Sequence, residues 1–121
     1  MSIIRIELAN GFMFGDDVVL LAMDGDGVAD FASALRSALQ RGSSELEHSG
    51  LRHEFSIEAG QSAVELGAHR VVWRLDQAKA SEVLDVLNVL GEHGRPGHQY
   101  VDISQPTDTL VLSRDEYIKP S

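Results

Sequence analysis

The sequence predicts an α+β domain, a mainly antiparallel sheet with two helices on one face, built by internal duplication of a strand-strand-helix-strand unit. Three observations carry this. First, Phe14-Gly15-Asp16-Asp17-Val18-Val19-Leu20-Leu21-Ala22-Met23-Asp24 matches Leu66-Gly67-Ala68-His69-Arg70-Val71-Val72-Trp73-Arg74-Leu75-Asp76 at a constant spacing of 52 residues. Second, the spacing continues ungapped into a helical pattern, pairing Val28 with Ala80, Phe31 with Val83, Leu35 with Leu87 and Ala38 with Leu90, positions three to four apart as one helix face requires. Third, short connections between most strands favour antiparallel pairing, with both helices covering one face. Beyond the helices, His53-Glu54-Phe55 aligns with His98-Gln99-Tyr100 at a spacing of 45. The first repeat therefore spans about 3–57 and the second about 58–113, in a single domain over 1–113 with a polar tail at 114–121.

Each element has a local reason. Ile4, Ile6 and Leu8 alternate with polar residues, a strand with one wet face. Ala9-Asn10-Gly11 turns the chain into a short strand at Phe12 to Phe14, and Gly15-Asp16-Asp17 reverses it into Val18 to Met23. Asp24 is placed to cap the first helix, with Asp26 in the first turn where the helix dipole favours an anion. Asp76 takes the same place before the second helix. Helix one is expected from Gly25 to Gln40, stopping near Gly42, and helix two from Ala78 to Leu90, ending at Gly91 or Gly94.

The segment from Arg41 to Gly50 reads as a loop. Further strands are expected at Leu51 to Glu58, Ala63 to Leu66, Arg70 to Leu75, His98 to Ile103 and Thr109 to Ser113, with Pro106 in the last hairpin turn. Helix two is apolar on more than one stripe, which fits packing on two sides or a subunit contact. Tyr117 and Ile118 are the docking residues of an otherwise polar, mobile tail.

Composition narrows the function classes. The 121 residues are 43% hydrophobic and 24% charged, ordinary for a folded domain. Nothing approaches the length of a membrane-spanning segment, and the alternating N-terminus is unlike a signal peptide, so a cytoplasmic location is expected. Cysteine is absent, which removes disulfides, thiolate metal sites and cysteine nucleophiles. A formal charge of −9 argues against nucleic acid and anionic membranes and favours a basic partner. Between Arg5 and Arg36 there is no Lys or Arg, while Asp16, Asp17, Asp24, Asp26 and Asp30 all fall there. These five aspartates are the candidate partner-binding residues.

Catalytic and metal signatures are missing. Asp24-Gly25-Asp26-Gly27 opens like a calcium loop, yet Val28 and Leu35 occupy the fifth and twelfth positions, where oxygen ligands are needed. The five histidines, His48, His53, His69, His93 and His98, lack zinc-site spacing. There is no nucleophile elbow and no phosphate loop. His53 with Glu54 and His98 with Asp102 are the acid-base candidates, although adjacent strand residues such as His53 and Glu54 point to opposite faces. No catalytic residue, metal ligand or cofactor is assigned, and the chain is expected to be non-enzymatic.

The stretch Gly97-His98-Gln99-Tyr100-Val101-Asp102, followed by Leu110-Val111-Leu112-Ser113-Arg114-Asp115-Glu116-Tyr117, resembles the C-terminal end of small α+β immunity proteins of bacterial polymorphic toxin systems. The likeness covers the last quarter of the chain. It implies a cytoplasmic protein that binds and blocks a cognate toxin, and it assigns no site residues. The acidic balance independently suits a basic toxin. Two alternatives accompany this expectation. One is a homo-oligomeric structural or regulatory domain, a homodimer for example; the other is a small-molecule or metal-binding domain using His53 and His98.

Overall fold

The computed structural model describes residues 2–118. It is an α+β fold of two helices and eight strands in chain order β1 (Ile4–Met13), β2 (Asp16–Met23), α1 (Gly25–Arg41), β3 (Ser43–His48), β4 (Leu51–Ile57), β5 (Ser62–Leu66), β6 (Arg70–Leu75), α2 (Gln77–His93), β7 (Gly97–Asp102) and β8 (Thr109–Arg114). The expected class and the repeated organisation are both present. The repeating unit, however, has a fourth strand: Ser43–His48, expected as loop, is β3. Its alternating exposed and half-buried residues carry only Leu46 as a large apolar side chain, too weak a period-two signal to show in the sequence.

The strands divide between two four-stranded sheets, ordered β1-β2-β8-β7 and β3-β4-β6-β5. Each sheet takes two strands from each half. Its outer pairs are antiparallel hairpins, whereas its central pair, β2 with β8 or β4 with β6, is parallel. Exchanging the halves of the chain maps one sheet onto the other, so the fold carries an internal two-fold relationship. The registers match in detail: Val19 and Leu21 lie level with Leu110 and Leu112, as Val71 and Trp73 lie level with His53 and Phe55.

This register corrects one expected equivalence. His53 on a central strand corresponds to Leu110, while His98 lies on an edge strand and corresponds to Ser43. The apparent His53–His98 match arose because the connections differ in length, which let an edge strand align with a central one.

Both helices start and stop as their end residues dictate. Asp24 accepts from Gly27 N at 2.7 Å and Asp76 from Lys79 N at 2.7 Å, satisfying backbone donors that the first turn leaves free. Gly42 and Gly94 close the helices in the left-handed conformation, which costs glycine nothing. One continuous core joins the inner faces of both sheets to the helices, with Phe31, Leu35 and Ala38 from α1 and Ala80, Val83, Leu87 and Leu90 from α2. Helix α2 buries this one stripe, while Val89 is exposed.

The sheets also meet at their margins. Ser104 N donates to Ser62 O at 2.8 Å and Val64 N to Gln105 O at 2.9 Å, tying the end of β7 to β5. At the opposite margin His48 Nε2 lies 2.9 Å from the Ser2 carbonyl, tying the end of β3 to the start of β1.

Candidate functional site

The outer faces of the two sheets differ where the inner faces are alike. On β3-β4-β6-β5 the outer face is an open lattice of charge, in which Arg52 meets Glu47, Arg70 meets Glu54, and Arg74 meets both Glu58 and Glu65. A shallow hollow of about 310 Å³ between Glu54, Ser56 and Arg74 lies there. Each arginine is already matched by a carboxylate, and exposed pairs of this kind contribute little, typically under about 1 kcal/mol.

On β1-β2-β8-β7 the outer face is apolar at its centre. Val18, Leu20, Ala22 and Val111 are buried beneath Phe12 and Ile118. The tail that was expected to be mobile is docked here as far as Ile118. Tyr117 meets Phe12 edge-on at 5.3 Å between ring centroids, and Glu116 Oε1 lies 2.7 Å from His98 Nδ1.

The five aspartates expected to share one face fall into two groups. Asp16 and Asp17 lie at the start of β2, while Asp24, Asp26 and Asp30 lie beyond its other end. About 23 Å of strand, at roughly 3.3 Å per residue, separates Asp17 from Asp24. Asp24 is moreover committed to structure, since its Oδ1 accepts from Ile3 N at 3.0 Å as well as from Gly27 N. Asp17 is committed in part, accepting from Gly11 N at 2.9 Å. Asp26 borders a groove of about 500 Å³ between the helices, where Arg36, Glu92 and Arg114 also lie.

At the first group the structure adds what the sequence left dispersed. Beyond the first β2–β8 pair, Val19 with Leu110, Asp17 and Asp108 each lie two residues further toward the same end of the sheet. Asp102 pairs with Thr109 on the next strand. Four carboxylates, Asp16, Asp17, Asp102 and Asp108, therefore gather at one end of this sheet. No local motif announces the convergence, because it depends on a parallel pairing between the two halves of the chain.

Phe14 projects from the same end. It is fully exposed and sits at φ 51 beside Gly15 at φ 89, between the paired residues Met13 and Asp16. Two consecutive positive φ values make a tight hairpin turn that favours Asn or Asp followed by Gly. Phenylalanine is disfavoured there by the backbone and by water alike.

His53 and His98 do not converge. His53 is in the core, and burial, helped by the nearby His48, lowers its pKa from 6.5 to about 4. His98 lies in the other sheet beside Glu116. Trp73 Nε1 donates to His53 Nδ1 at 3.2 Å, which leaves the imidazole proton on Nε2 and no lone pair for a metal. Among the described residues no group of three or more His, Asp or Glu is arranged to hold a metal ion, and no helix is long and apolar enough to cross a membrane.

Fold and surface together define an α+β domain of two equivalent halves with one acid-rimmed aromatic hairpin. No protein-family model, curated protein or solved structure matches the chain.

Proposed function

We propose that this chain is a non-enzymatic protein-binding domain that engages a basic partner through the β1–β2 hairpin tip, as an immunity protein neutralising a cognate toxin would. The observation that carries the reading is Phe14, a fully exposed aromatic in a turn that favours other residues, at the end of the sheet where Asp16, Asp17, Asp102 and Asp108 gather. Folding supplies no reason for it. A partner pocket does, because aromatic anchors ringed by charge are the usual centres of protein interfaces, and the carboxylates would speed encounter with a cationic surface. A cytoplasmic setting fits such a role.

The test compares wild type with Phe14→Ser and with Asp16→Lys/Asp108→Lys as baits in lysate of the native host, at low and high salt. A basic protein held by wild type and lost from both variants is the expected result, with the lysine variant abolishing the salt dependence. Equal retention by all three baits would place the interface elsewhere.

A further inference from the structure

The two-fold relationship makes each half a control for the other, and at one place the halves differ in a way the fold does not require. His53 occupies the position of Leu110. Leu46 lies across from His53 and Val101 across from Leu110, so His48, two residues beyond Leu46, occupies the position of Ile103. Ile103 and Leu110 are ordinary buried aliphatics. The same fold thus accepts two buried aliphatic side chains where this half places two imidazoles, His53 buried and His48 half-buried.

Both imidazoles have a buried nitrogen with no partner, Nδ1 of His48 and Nε2 of His53. The neighbouring bonds fix their protonation. The Ser2 carbonyl can only accept, so His48 carries its proton on Nε2, facing Ser2, and has its lone pair on Nδ1. Trp73 donates to Nδ1 of His53, so that ring carries its proton on Nε2. The only nitrogen of His53 that can take a second proton is then the one that accepts from Trp73. Protonation would point two N–H groups at each other, leaving both without an acceptor beside a buried charge.

The surroundings offer such a charge no relief. From β6, His53 meets Val71 and Trp73; from α1 it meets Phe31; from β3 the facing titratable group is His48 itself. By strand alternation Glu45, Glu47, Arg52, Glu54, Arg70 and Arg74 lie on the opposite face of the sheet, and Asp30 and Arg36 of α1 are exposed. The weak point is the adjoining margin, where a histidine side chain holds Ser2 while the equivalent margin is held by backbone bonds.

We propose that His48 and His53 form an acid-operated latch on the margin between β3 and the start of β1, closed while His53 is neutral and released when it is charged. The β5–β7 margin, with no buried imidazole, stays closed over the same range.

Hydrogen exchange, expressed as protection factors at pH 7 and pH 4.5, tests this in wild type, His53→Gln and His53→Leu. Glutamine keeps an acceptor for Trp73 without titrating. In wild type, β3 protection falls on the order of 10- to 100-fold relative to β7; in both variants the two margins respond alike. A uniform loss in wild type, or the same β3-selective loss in the variants, overturns the proposal. Should the variants not fold, the single tryptophan provides the reading. The Trp73 indole N–H resonance of wild type moves with acidification before global unfolding, and a resonance that stays in place overturns the latch.

Discussion

The indole of Trp73 donates to the imidazole of His53 at 3.2 Å in the centre of the core. This bond links a fully buried aromatic to a titratable group whose proton affinity is lowered in the folded state, from pKa 6.5 to about 4, first by burial and then by His48. Such a group contributes stability that is complete above pH 6.5. Between 6.5 and 4 the unfolded chain binds the proton and the folded chain does not, so stability falls as pH falls. The full effect is roughly 3 kcal/mol. Urea unfolding of wild type at pH 7, 5.5 and 4.5 checks it; a midpoint unchanged down to pH 4.5 would contradict it.

The two helix caps are expected to be unequal. Asp24 accepts two backbone N–H groups and ties Ile3 to α1, whereas Asp76 accepts from Lys79 N. Asp76→Ala should cost about 1 kcal/mol and Asp24→Ala about 2 kcal/mol or more. Equal shifts in denaturation midpoint would show that the Ile3 bond adds nothing.

Gly27 is required by space. A Cβ there would strike the Ile3 carbonyl, a backbone atom that Asp24 N holds through a 3.2 Å hydrogen bond. Gly27→Ala gains helix propensity, yet it should lower stability by about 1–3 kcal/mol. Gly91 is the useful control, since a Cβ there meets only Val28 at 3.7 Å. Gly91→Ala should be neutral or mildly stabilising, and thermal unfolding of the pair distinguishes crowding from helix propensity.

The docked tail should behave as part of the fold. Ile118 packs against the cluster of Val18, Leu20, Ala22 and Val111, and Tyr117 packs on Phe12. Ile118→Ala is expected to cost about 1–3 kcal/mol, and Tyr117→Ala less because that ring is half exposed. Both should increase binding of an apolar dye to the uncovered face. An unchanged dye signal would mean that Val18, Leu20 and Val111 are covered by something other than the tail.

Phe14→Ser should leave stability within about 0.5 kcal/mol of wild type, because no buried contact is lost. A marked destabilisation would give Phe14 a role in folding and remove the reason for reading it as an anchor.

Much of this was legible along the chain because it is decided locally. Asp24, Asp76, Gly42 and Gly94 mark the helix ends through bonds within one turn, and the matched runs at Val18 to Met23 and Arg70 to Leu75 announce the repeat. The opposed faces of His53 and Glu54 follow from alternation on one strand. The strand Ser43–His48 escaped because its apolar content is a single leucine. Its place as an edge strand comes from pairing with β4, which no local pattern displays.

What the tertiary structure alone decided are the relationships between distant segments. Parallel pairing of β2 with β8 and of β4 with β6 exchanges strands between the halves, and that exchange sets which residues are equivalent. It makes His53 the counterpart of Leu110, brings Asp102 and Asp108 to the end of the sheet from which Phe14 projects, and parts Asp17 from Asp24 by the length of a strand. Amino-acid order determines side-chain type and local backbone preference. Which strands lie side by side is determined by how two helices and two sheets bury one shared core, a property of the whole chain.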